Sequence, residues 1–211
     1  MRGEHVIELH RHDLVWLDPG MDSDSIATPN LVEALYWIRL QHPLVVTRQP
    51  AMKGDSIALG FTLSPKRTRI SLSVPKASII HRMRPLLLAD AIEHAPISWH
   101  EGMKKILDVC ESAGAAARVY GSLSFQAFTN QDYLDEESDL DLLLECNEHT
   151  RFDDLLPALK SISLPKLDGE IKMPNGWAVA WRELSITASV LAKSDSEVRL
   201  FPAREFLAGK C

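Results

Sequence analysis

Apolar positions along the chain change their spacing repeatedly, and each change marks an element. Helical spacing over residues 31–41 halts at Pro43. Runs rich in β-branched and aromatic residues at 44–48, 57–63 and 68–74 predict strands, and Ser64-Pro65-Lys66-Arg67 would close the last two into a hairpin. Gly60 inside the middle run signals a bulge or a close backbone approach. Residues 86–94 and 100–113 have helical spacing, and Gly114 supplies a stop. Beyond it the pattern predicts strands at 117–121 and 140–145, then a helix at 152–162. Strands at 167–173 and 178–181 are joined across Pro174-Asn175-Gly176. Residues 182–191 read as a helix, 197–201 as a short strand and 203–207 as a last helical turn. The mixture gives an α/β chain of the α+β kind, with a smaller N-terminal α/β segment at 1–85 and a second segment at 86–211.

Composition narrows the class. At 211 residues with 45% apolar content, the chain can bury a sizeable core. It contains no apolar run long enough to cross a bilayer, and no signal-type stretch follows the N-terminal Met-Arg-Gly-Glu-His. The three cysteines, Cys110, Cys146 and Cys211, have neither metal-type spacing nor a pairing pattern. That favours a reducing compartment, and the expected location is the cytoplasm. Charge is lopsided: residues 1–100 hold 11 Lys and Arg against 10 Asp and Glu, whereas 101–211 hold 12 against 19. An acidic second half argues against nucleic acid as a partner, because that needs a basic surface. It leaves room for a metal-bound nucleotide, since a bound cation inverts the local field.

The chemistry concentrates in 118–145. Val119-Tyr120 leads into the pair Gly121-Ser122, and sixteen residues later comes Ser138-Asp139-Leu140-Asp141. Asp139 and Asp141 are two apart in a predicted strand, so both carboxylates leave the same face and repel each other. A divalent cation relieves that repulsion, and Mg²⁺, with Mn²⁺ as the alternative, prefers such oxygen ligands. Gly121 and Ser122 offer backbone N–H groups and a hydroxyl to a phosphate. Downstream, Asp168 and Glu170 share one face of a predicted strand by period two. The set predicts attack of a hydroxyl on a phosphorus atom.

The order of strand, Gly-Ser turn, Asp-x-Asp strand and later acidic strand resembles the nucleotidyltransferase fold of polymerase-beta-like enzymes. That resemblance implies a third carboxylate on a neighbouring strand, supplied by Asp168 or Glu170. Glu170 is the favoured metal ligand and catalytic group, with Asp168 kept beside the substrate. Longer stretches resemble one family in particular. Val119-Tyr-Gly-Ser-Leu-Ser-Phe-Gln126, Thr129, Tyr133-Leu134 and Ser138-Asp-Leu-Asp-Leu-Leu143 are similar to the malonate decarboxylase holo-acyl-carrier-protein synthases, or phosphoribosyl-dephospho-CoA transferases. Arg11-His-Asp-Leu-Val-Trp16, Pro43-Leu-Val-Val-Thr-Arg48, Asp168-Gly-Glu-Ile171 and Ala178-Val-Ala-Trp-Arg-Glu183 extend the similarity over nearly the whole chain. Phe125 and Asn130 depart from the family pattern, which has Trp and Gly there; Asn tolerates positive φ better than most residues. The resemblance implies a polymerase-beta-like catalytic core at 86–211 and donor or carrier contacts in 1–85. It implies transfer of phosphoribosyl-dephospho-CoA from 2′-(5″-triphosphoribosyl)-3′-dephospho-CoA to a serine of the apo acyl-carrier subunit of malonate decarboxylase, with loss of pyrophosphate. A citrate lyase carrier or a small molecule as acceptor, and a non-catalytic nucleotide-binding scaffold, are the alternatives.

Other residues carry two readings each. Arg11, His12 and Asp13 belong either to the donor or carrier junction or to a salt-bridged strand start. Lys66, Arg67 and Arg69 are either a solvated hairpin tip or a dock for an acidic carrier, and Arg82 with Arg84 has the same ambiguity. Arg182 would pair with the donor triphosphate or position Glu170. Trp177, Trp181 and Cys146 read as packing.

Overall fold

A computed structural model describes residues 8–49, 55–64 and 68–209. They form two compact units: residues through Phe61 with Ile70–Arg84, and Thr62–Arg69 with everything from Pro85 onward.

The first unit contains β1 (Leu14–Leu17), α1 (Leu31–Arg39), β2 (Leu44–Val46), most of β3 (Ser56–Leu63) and β4 (Thr68–Pro75), and β5 (Ile79–Met83); Thr62 and Leu63 at the end of β3 and Thr68 and Arg69 at the start of β4 belong to the second unit. Its sheet has the order β4-β3-β2-β1-β5. Period-two alternation buries Ile57, Leu59 and Phe61 on β3 and Ile70, Leu72 and Val74 on β4, together with Trp37 and Ile38 of α1. Trp37 stacks on Phe61 at 4.5 Å between centroids, and its indole N–H donates to the Pro43 carbonyl at 2.9 Å. Gly60 marks a close approach: a Cβ there would lie 3.2 Å from the Ile70 carbonyl oxygen. Asp13, 2% exposed, takes an ion pair from Arg82 at 2.7 Å and a hydrogen bond from the His10 N–H. The structure therefore gives Asp13 and Arg82 a fold-holding contact, since a buried carboxylate needs a partner. Lys66 and Arg67 lie outside the described residues.

The second unit contains β6 (Leu86–Leu87), α2 (Leu88–Ala91), α3 (His100–Ala113), β7 (Ala116–Val119), α4 (Gly121–Thr129), β8 (Asp139–Glu145), α5 (Phe152–Ser161), β9 (Lys166–Lys172), β10 (Ala178–Ala180), β11 (Ser189–Lys193), β12 (Val198–Pro202) and α6 (Ala203–Leu207). The sheet order is β12-β11-β10-β9-β8-β7-β6. Every neighbouring pair is antiparallel except β8–β9, which is parallel. Leu140, Leu142 and Leu144 of β8 pack with Met103, Ile106 and Cys110 of α3 and Leu155 and Leu159 of α5. The helical spacing of those side chains places them on one face of each helix. Helix α3 ends as its sequence predicts, at Gly114 with φ 76°.

The fold class is α+β, and two stretches correct the sequence pattern. Residues 86–94 form a two-residue strand, a single α-turn and a 3₁₀ turn rather than one helix. Residues 182–191 form a 3₁₀ turn at Glu183–Ser185 and then enter β11, not a helix. Pairing with β10 and β12 decides the second case: Val190 and Ala192 are buried at period two between those strands. Helix α4 and strand β5 carry no expectation from periodicity. Among the described residues no helix is long and apolar enough to cross a membrane.

Candidate active site

The site grows from the alternation of β8. Leu140 and Leu142 point into the core, 0% and 1% exposed, so Asp139 and Asp141 leave the opposite face. Next to them β7 ends at Val119. The Tyr120 N–H donates to the Asp141 carbonyl at 3.1 Å, and the chain swings at Gly121 into α4. Gly121 has φ 68°, and a Cβ there would stand 2.0 Å from Asp141 Oδ2. Only glycine lets the start of α4 and the carboxylate come so close.

The parallel ladder supplies a third acid. Its register sets Asp168 opposite Asp141 and Glu170 opposite Leu143. Asp139, Asp141 and Asp168 line one pocket of about 350 Å³ with Gly121 and Ser122; Thr62, Arg69, Phe125 and Ser138 complete the wall. Burial, then the negative charges of Asp168 and Asp139, push the Asp141 carboxyl up to about 6, and Arg69 pulls the other way. Lys166 Nζ lies 3.5 Å from Asp139 Oδ2.

Polar contacts brace the approach to β8. Gln126 Oε1 accepts from the Tyr133 and Leu134 N–H groups, and its Nε2 donates to the His94 carbonyl. The Tyr133 hydroxyl donates to the Thr62 carbonyl at 2.8 Å, and the Tyr133 ring stacks on Phe125. Ser138 Oγ donates to Asp135 Oδ1 and accepts from the Asp135 N–H. Asn130 caps α4 with φ 53°, a conformation asparagine tolerates.

Two residues expected at the site stand elsewhere. Glu170 is 6% exposed and its carboxylate lies 3.4 Å from Lys193 Nζ; it does not line the pocket. Two residues at about 3.3 Å rise each carry it some 7 Å further along β9 than Asp168. The Arg182 guanidinium donates to the Leu167 carbonyl and lies 5.6 Å from the Trp181 ring, in a different cleft. Arg69, read from sequence only as part of a basic tip, lines the acidic pocket instead. No local pattern could have announced that, because Arg69 precedes Asp139 by 70 residues. Cys110 and Cys146 are free and buried, and burial pushes both thiols up to about 12, so neither is a thiolate nucleophile at neutral pH. Among the described residues no three His, Cys, Asp or Glu side chains enclose a metal position.

Comparison with known proteins settles the family. The model described as "Phosphoribosyl-dephospho-CoA transferase MdcG N-terminal domain" matches residues 10–85, and that described as the MdcG C-terminal domain matches 87–204. This chain belongs to the phosphoribosyl-dephospho-CoA transferase family. Relatives of that name agree along nearly their full lengths. The protein of Bradyrhizobium diazoefficiens is 33% identical, covering 94% of this chain and 92% of its own. That of Xanthomonas campestris pv. campestris is 32% identical over 95% and 98%. That of Azotobacter vinelandii is 33% identical over 93% and 95%. No solved structure matches the chain.

Proposed function

We propose that this protein transfers the phosphoribosyl-dephospho-CoA group from 2′-(5″-triphosphoribosyl)-3′-dephospho-CoA to a serine of the apo acyl-carrier subunit of malonate decarboxylase, in the cytoplasm. The supporting observation is one pocket that gathers Asp139, Asp141 and Asp168 with Gly121 and Ser122 in a chain of the transferase family. The strand, Gly-Ser and Asp-x-Asp order suits a polymerase-beta-like nucleotidyltransferase core.

In this reading the serine oxygen forms a bond to the α-phosphorus, and the bond from that phosphorus to the bridging oxygen breaks. Pyrophosphate leaves with the electron pair. The hydroxyl proton passes to Asp168, which is exposed to the pocket and aligned with Asp141. The first N–H groups of α4 and the Ser122 hydroxyl bind the departing phosphates, and the Arg69 guanidinium offsets their charge. The donor set fits Mg²⁺ or Mn²⁺: hard carboxylate oxygens, with Asp141 raised in part by its acidic neighbours. Asp139 and Asp141 would hold the ion, and Asp168, rather than Glu170, would stand beside them in the pocket as proton acceptor. Mg²⁺ commonly needs only one or two carboxylates, with waters and substrate phosphates filling the rest. When bound, it supplies Lewis-acid neutralisation of the phosphate oxygens.

Mass spectrometry of the carrier serine tests the proposal. Incubation with donor and Mg²⁺ should add the donor mass less pyrophosphate, and Asp139→Ala should abolish the gain while leaving the circular dichroism unchanged. Modification by the Asp139→Ala chain would remove the site. Modification of a citrate lyase carrier alone would remove the acceptor, and no release of pyrophosphate would return the chain to a scaffold.

A further inference from the structure

The end of the sheet at which Asp139 opens β8 also borders a second cleft. The C-terminal end of β10 and the N-terminal ends of β8 and β9 lie together there, because β9 runs parallel to β8 and antiparallel to β10. The cleft, of about 320 Å³, has Leu167 and Trp181 in its floor and Lys160, Lys166, Arg182 and Ile186 around it. No carboxylate is among the residues that line it. That is an unexpected gathering of cations in a half-chain where Asp and Glu outnumber Lys and Arg by 19 to 12. Ile186 is 78% exposed there, an apolar side chain left in water.

Two contacts organise these cations. Arg182 is held by its hydrogen bond to the Leu167 carbonyl and by its position 5.6 Å from the Trp181 ring. Lys166 lines the cleft while reaching Asp139 at 3.5 Å, so it joins the cleft to the acidic pocket. Neighbouring strands lie about 4.8 Å apart, so the step from β8 across β9 to the end of β10 is about 10 Å. A ligand reacting at Asp139 would meet the cleft with a second anionic group about that far away, followed by an arm of mixed polar and apolar groups.

We infer that this cleft takes the dephospho-CoA end of the donor. The 5′-diphosphate would face Lys160, Lys166 and Arg182, and the pantetheine arm would lie over the exposed Ile186. This rests on the transferase reading above. A concave cleft with an apolar floor and a few convergent cations suits a small molecule, whereas a carrier protein would need a broader face of roughly 800 Å² on each side.

Calorimetric titration of dephospho-CoA, which lacks the triphosphoribosyl group, tests the site without turnover. The unaltered chain should bind it at or below millimolar concentration. Lys160→Glu and Ile186→Asp, both at exposed positions, should each weaken binding at least tenfold with unchanged circular dichroism. No binding to the unaltered chain at millimolar dephospho-CoA, or full binding by both variants, overturns the inference. A raised KM for the apo carrier with an unchanged donor KM also overturns it and gives the cleft to the carrier. Dephospho-CoA binding lost in the two variants, but without serine modification by the unaltered chain, supports the cleft while defeating the transfer reading.

Discussion

Asp141 lines the acidic pocket and carries a cost to stability in the same side chain. Its carboxyl rises from 3.8 to about 6, mainly through burial. Between those values the folded chain retains a proton that the unfolded chain has released. The stability linked to this group is therefore fully present below pH 3.8 and is lost as the pH rises through about 6. At pH 8 the ionised carboxylate costs roughly 2–3 kcal/mol. Asp141→Asn should then raise the urea midpoint at pH 8, differ little at pH 4, and lose transfer activity. A lower midpoint at pH 8 would show that the carboxylate is not strained. The third acid is a second residue-scale question. Asp168→Asn should reduce kcat by roughly 100-fold or more. Glu170→Gln, beside Lys193, should leave turnover within a few-fold and cost roughly 1.5–3 kcal/mol in urea unfolding, because the carboxylate it replaces is buried. The opposite ranking would restore Glu170 to the chemistry.

The parallel β8–β9 ladder depends on Gly169. It has φ 131°, and a Cβ there would stand 2.0 Å from the Leu142 carbonyl oxygen and 2.6 Å from its nitrogen. Those are backbone atoms of the partner strand and cannot rotate away. Gly169→Ala should open the ladder and destabilise the fold by roughly 3 kcal/mol or more, seen as a lower thermal midpoint. Transfer activity should fall with it, because the same register sets Asp168 against Asp141. Elements with an uninterrupted periodicity were legible: α3 runs His100–Ala113 with its glycine stop, and Ala203–Leu207 is helical. Residues 182–191 were not, because a short apolar run has no period of its own until β10 and β12 flank it. Helix α4 was hidden by Gly121, a helix breaker in most settings that here permits the turn against Asp141.

At the scale of the whole molecule, the second half is acidic and its carboxylates converge, so a bound cation should stabilise it. EDTA should abolish serine modification and Mg²⁺ should restore it. At pH 8, Mg²⁺ should raise the thermal midpoint of the unaltered chain more than that of Asp141→Asn. Full activity after exhaustive chelation would remove the metal from the mechanism. The sequence by itself determined the α+β class, the strand that carries Asp139 and Asp141 on one face, and the family, because these follow from local spacing and from long matched motifs. Tertiary structure decided which later acid joins them, where Arg69 goes, and where Arg182 does not. Those outcomes depend on the register of a parallel ladder and on which distant segments share a wall, neither of which local periodicity encodes.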